Sequence, residues 1–169
     1  MALLVKELSD RNELNAFTKH RKDFENFLVD HKIYINQLTV SHGSMAKGFR
    51  PIRDYFRYVF EAFRDGKTAV QVTELLAKHD RYQKLVKNRP ELSAKAKDFS
   101  KDARQLKFLT DALAASLTCG ICGARIDHKA MHLDHKVDKS LGGLATTDNA
   151  QWAHPYCNST YKYFLQKGD

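Results

Sequence analysis

The sequence predicts an α+β chain, with a mainly helical region over residues 1–112 followed by a small β-containing domain over residues 113–169. Two observations lead there. Apolar residues recur at helical spacing through the first two thirds of the chain, and all three cysteines stand in the last third. At 43% hydrophobic content, 169 residues can bury a core of their own and carry a smaller appended domain.

The elements follow in chain order. Asp10 with Glu13 has the form of a capping box, and Leu14, Phe17, Phe24, Phe27 and Leu28 then recur at helical spacing, which predicts a helix over 11–30. Residues 33–40, IYINQLTV, are β-rich but short, so a strand and an extended connection fit equally. Pro51 suits a first helical turn, Ile52, Phe56, Val59, Phe60 and Phe63 line one face, and Gly66 is a stop. Arg50, Arg57 and Arg64 form a separate stripe, available to phosphate or simply solvated. Thr68 and Gln71 cap a third helix carrying Val72, Leu75 and Leu76. Asn88, Arg89 and Pro90 interrupt the pattern, and a fourth helix is expected over 93–117, with Phe99, Ala103, Leu106, Leu113 and Leu117 on one side.

The net charge of +8 is unevenly placed. Residues 78–107 hold ten basic and four acidic side chains, Lys84, Lys87 and Arg89 among the basic ones. Such a run suits a polyanion, with a solvated helix face as the alternative. No run approaches the roughly 18 apolar residues that span a bilayer. MALLVKELSDRNEL turns charged too early for a secretory signal, so a cytoplasmic protein without a membrane partner is expected.

An odd number of cysteines argues against a disulfide framework. Cys119 and Cys122 form a CxxC knuckle, and His154 with Cys157 forms an HxxC knuckle. Two-residue spacers let each pair turn toward one ion, and three thiolates with one imidazole suit tetrahedral zinc. A lone CxxC also fits a redox motif or two buried cysteines, but this scheme uses every cysteine in the chain. With all four positions filled by protein, the predicted zinc is structural.

Between and beside the knuckles stand Asp134-His135, Gly142-Gly143, Asn149 and Asn158. Here the chain resembles the HNH endonuclease family, whose core runs CxxC, DH, a glycine pair, an Asn and a closing CxxCN. The corresponding segments are CGIC, LDHKVDKSLGG, TTDN and HPYCN, within residues 115–167. Asp138 stands where the family often has proline, and His154 replaces a cysteine. Neither departure removes a catalytic atom.

The residues themselves allow a strand over 130–135, with His132 and Asp134 on one side and His135 on the other. A glycine-assisted loop, a return strand over 150–154 and a helix over 157–167 complete the unit. Asp134 and Asn158 would then converge on a hard divalent cation, magnesium or manganese.

The resemblance implies that His135 is the general base, since an imidazole titrates near neutrality. It further implies that Asn149 orients His135 by bonding to its backbone and pinning the loop, and that cleavage leaves 5′-phosphate and 3′-hydroxyl ends. Lys162, one turn after Asn158, is a candidate contact to the scissile phosphate. His128 and His132 are candidates for phosphate contact or a substitute ligand, with plain surface histidines as the alternative. The expectation is therefore a metal-dependent endonuclease acting on nucleic acid, DNA foremost. The helical region would supply substrate contacts or dock a protein partner or a second copy. The other reading is a non-catalytic, zinc-stabilised nucleic-acid-binding or adaptor module.

Overall fold

A computed structural model of the chain describes residues 2–42, 45–87 and 101–167. It divides into two compact units, Met1–Thr110 and Asp111–Asp169. The first is helical: α1 (Ala2–Asp10), α2 (Leu14–Asp30), α3 (Lys32–Ser41), α4 (Met45–Arg64), α5 (Ala69–Lys78) and α6 (Gln83–Lys87). A further helix, α7 (Lys101–Ala114), runs across the boundary between the units. Among the described residues, no helix is long and apolar enough to cross a membrane.

The apolar stripes read from the sequence do form the core of the first unit. Phe17 meets Phe24 and Phe60 edge to face, Phe24 meets Phe56, and Phe27 meets Phe63. This T-shaped geometry sets the positive edge of one ring against the negative face of the next.

Four local expectations need correction. The helix expected over 11–30 begins at Leu14, after a separate helix and a break at Asn12, which has φ 57°. Glu13 makes no capping bond, and its carboxylate instead pairs with Arg57 at 2.7 Å and Arg64 at 3.3 Å. Two of the stripe arginines are thus held by an acid of the same unit. Residues 33–40 are helical, because Tyr34 and Leu38 sit one turn apart and are both buried, which overrides β-rich composition. Pro51 lies inside α4, which starts at Met45, rather than in its first turn.

The capping box at α5 forms as expected: the Gln71 amide donates to the Thr68 hydroxyl, and the Thr68 amide donates to Gln71 Oε1. The predicted break at Asn88, Arg89 and Pro90 and the start of the 93–117 helix, with Phe99, lie outside the described residues. Leu117 falls beyond the end of α7 and is exposed.

The second unit holds the two-stranded antiparallel hairpin of β1 (His132–His135) and β2 (Ala150–Ala153), in the register Leu133↔Trp152 and Asp134↔Gln151. A 3₁₀ turn, Lys139–Leu141, lies in the connection. Gly142 has φ 84°, and a Cβ at Gly143 would strike the Val137 carbonyl, so both glycines are required by this loop. The last helix winds a π turn, Cys157–Tyr161, before becoming α8 (Lys162–Lys167). The buried hydrophobic cluster of this unit is small: Ile126, Ala153 and Tyr161 with Cys119 and Cys157.

Candidate functional site

Cys119, Cys122, His154 and Cys157 bring their donor atoms within 4.8 Å of one another. The first knuckle is held by the Cys119 amide on Ala124 O and the Gly123 amide on Cys119 O. It is tied to β2 by the Gly120 amide, which donates to Trp152 O at 2.9 Å. His154 Nε2 lies 2.9 Å from Arg125 O. A carbonyl only accepts, so Nε2 carries the proton and Nδ1 offers its lone pair to the three sulfurs, as in metal-binding histidines anchored by a carbonyl. Cys122 and Cys157 lie 3.5 and 3.7 Å from that Nδ1. Hydrogen bonds from Cys122 and Cys157 push the Cys119 thiol far down, while its bond to Cys119 pushes Cys157 up. Three sulfurs and one imidazole nitrogen gathered about one point match the donor set of tetrahedral zinc.

A second constellation lies at the end of the hairpin. Asp134 is buried, its Oδ2 accepting from Gln151 Nε2 and its Oδ1 from Lys162 Nζ, both at 2.9 Å. Lys162 Nζ also donates to His135 O at 2.9 Å and lies 3.5 Å from Asp138 Oδ2. Burial alone would lower the Lys162 pKa, but hydrogen bonds and charge from Asp134 and Asp138 outweigh it and raise it. The Asp138 carboxyl is itself held low, chiefly by the Ser140 amide and hydroxyl. Three oxygens therefore converge on one cationic point.

His135 turns to the opposite face of β1, as strand alternation requires, and lines a cavity of about 500 Å³. Its Nε2 is buried without a hydrogen-bond partner among the described residues. Asn149 clamps the connecting loop with three side-chain bonds: its Oδ1 accepts from the Val137 amide at 2.8 Å, and its Nδ2 donates to Val137 O and Leu144 O.

Residues 119–164 match the family described as HNH endonuclease. The C-terminal unit carries an HNH endonuclease domain. No curated protein and no solved structure matches the chain.

Within this HNH domain, the structure gathers Asp134, His135 and Lys162 around the end of β1, while Asn149 holds the loop that follows. Asn149 reaches the backbone of Val137, two residues beyond His135. Among the described residues the Asn158 side chain makes no hydrogen bond, to Asp134 or any other; its backbone amide donates to His154 O. Lys162 contacts the carboxylate that the sequence reading reserved for a metal. His128 and His132 are exposed, and His128 Nδ1 lies 3.5 Å from Asp127.

Lys84 and Lys87 are exposed on α6 in the other unit, and Arg89 lies outside the described residues. Sequence reasoning missed Gln151 and Asp138. Gln151 becomes visible only once the strand register sets it opposite Asp134.

Proposed function

We propose that the HNH domain is a metal-dependent endonuclease that hydrolyses phosphodiester bonds of nucleic acid, with DNA as the substrate, and leaves 5′-phosphate and 3′-hydroxyl ends. The observation that carries this is His135, whose Nε2 has no partner while its ring lines a cavity beside the Asp134 cation site. A general base needs such an uncommitted imidazole close to bound phosphate.

Cys119, Cys122, His154 and Cys157 hold a structural zinc in this reading. Asp134, with Asn158, holds a catalytic magnesium or manganese, and the oxygens that converge on Lys162 Nζ are donors of the type such ions require. When bound, that ion supplies charge for the transition state and the departing 3′ oxygen. His135 accepts the proton of the attacking water. Asn149 fixes the loop after β1 and with it the direction of the His135 ring. Lys162 exchanges its carboxylate contact for the substrate phosphate. Lys84, Lys87 and Arg89 of the helical region add phosphate contacts, and the same region is the docking surface for any protein partner or second copy.

One observation favours the non-catalytic adaptor reading: both Asp134 oxygens are already hydrogen-bonded. Plasmid nicking by the zinc-loaded protein, with magnesium, manganese or neither, separates the two. Wild type should nick only with the added ion, and His135→Ala should lose roughly 10²- to 10⁴-fold in rate at every ion concentration. Asp134→Ala and Asn158→Ala should be partly recovered by more manganese. Full activity in His135→Ala, or no nicking by wild type under any ion, refutes the nuclease.

A further inference from the structure

The cavity beside His135 has an aromatic wall that the phosphodiester chemistry does not use. Trp152 sits directly across the hairpin from Leu133, and both lie on the His135 face of the sheet. Leu133 is 61% exposed and Trp152 38% exposed. Among the described residues the indole makes no ring contact with another aromatic side chain and no side-chain hydrogen bond, and Ala145 and Ala150 extend its apolar surroundings. Polar groups edge the same cavity: Thr146, Thr147 and Asn149. Lys136 Nζ donates to the carbonyl of Asp148, which stands in the chain between the lining residues Thr147 and Asn149.

We propose that Trp152, backed by Leu133, is a stacking platform for one unpaired nucleobase of the strand being cut, so that this HNH domain selects single-stranded or locally melted nucleic acid. The proposal rests on the nuclease reading and adds the form of the substrate.

Three features favour this occupant. At about 500 Å³ the cavity falls within the roughly 300–1,000 Å³ of small-ligand pockets, which suits one flat base. Leu133 and Trp152 share the sheet face and the cavity of His135, so a strand with its phosphate at His135 that runs along the hairpin meets this wall. A duplex turns its base faces inward and shows only edges, so an exposed indole face is covered by a base only when that base is unpaired or flipped.

Trp152 is the only tryptophan in the chain, so its emission reports directly on the cavity. The experiment titrates zinc-loaded His135→Ala protein, which leaves the strand uncut, with a short oligothymidine and with the same length of fully paired duplex. The single strand should quench most of the emission, and the duplex should quench little. By anisotropy of a labelled oligothymidine, Trp152→Ala should bind about tenfold more weakly, a change equal to about 1.4 kcal/mol. Trp152→Phe should stay within a few-fold of the parent, and both variants should keep their zinc.

Absent quenching by the single strand, equal quenching by the duplex, or unchanged affinity in Trp152→Ala overturns the proposal. Emission that responds to protein concentration but not to oligonucleotide also overturns it, because a second copy then covers the platform. Cleavage assays decide the nuclease reading separately. Nicking without tryptophan quenching removes the platform alone, and quenching without nicking removes the nuclease alone.

Discussion

Lys162→Met tests the cation site without requiring catalysis. Methionine keeps much of the apolar stem and removes the ammonium that bonds Asp134 Oδ1 and His135 O at 2.9 Å and approaches Asp138 at 3.5 Å. Only 6% of the Asp134 side chain is exposed, so its charge is left with a single neutral donor, Gln151. Breaking a buried pair from one side costs about 3–5 kcal/mol, and the surviving Gln151 bond points to the lower end, about 3 kcal/mol.

The sign with pH follows from the raised Lys162 pKa. Its contribution is complete below the ordinary lysine range and fades only as pH rises through the folded-state value, so neutral buffer shows the full loss. Denaturant unfolding of the second unit, followed by Trp152 emission, measures it. Manganese should then stabilise the Met variant by about 2.7 kcal/mol at a hundredfold excess over its Kd, with a smaller effect on wild type, in which Lys162 competes for the carboxylate. A Met variant as stable as wild type, or one with the same manganese response, refutes the shared cation site.

Metal analysis should find about one tightly held zinc per chain, and Cys122→Ser should lose it together with the folded state of the second unit; a serine variant that keeps both rules out the cluster as a zinc site. Asn149→Ala removes three side-chain bonds in a half-buried position, and at about 0.5–1.5 kcal/mol each the second unit should lose on the order of 1.5–4.5 kcal/mol in the same unfolding assay. No change in stability or nicking would mean that the clamp does not hold the site. Asp138 has a depressed pKa, so its contribution is present above the unfolded aspartate value and is lost as pH falls through the folded one. The stability gap between wild type and Asp138→Ala should therefore be constant near neutrality and shrink in acid, and a gap that widens in acid contradicts the Ser140 and Lys162 contacts.

What was legible in the sequence is what short spacing encodes. CxxC and HxxC knuckles need only two intervening residues to aim both donors at one point, and the four donors do gather. The same holds for the Thr68–Gln71 box and the aromatic stripe of α4. Failures came where a distant partner decided the outcome. Glu13 has the spacing of a capping residue, but Arg57 and Arg64 claim its carboxylate. IYINQLTV has strand composition, but burying Tyr34 and Leu38 together requires a helix. Nothing local in the sequence shows that Asp134 lies within reach of Lys162, so that contact is visible only in the fold.

The π turn explains how that reach arises. The Lys162 amide bonds Cys157 O, five residues back, so one turn of the last helix holds an additional residue. Cys157 is fixed at the start of the turn by the Cys3His cluster, and Lys162 at its end meets Asp134 and His135 O. Five residues thus join the structural cluster to the end of β1 that carries the candidate base. A helix anchored at Cys157 has little freedom to choose where Lys162 points, and a second unit with so small an apolar core has little else to hold that direction. Loss of the cluster therefore reaches the cation site through the helix, and the hairpin through His154 and the Gly120 bond to Trp152 O.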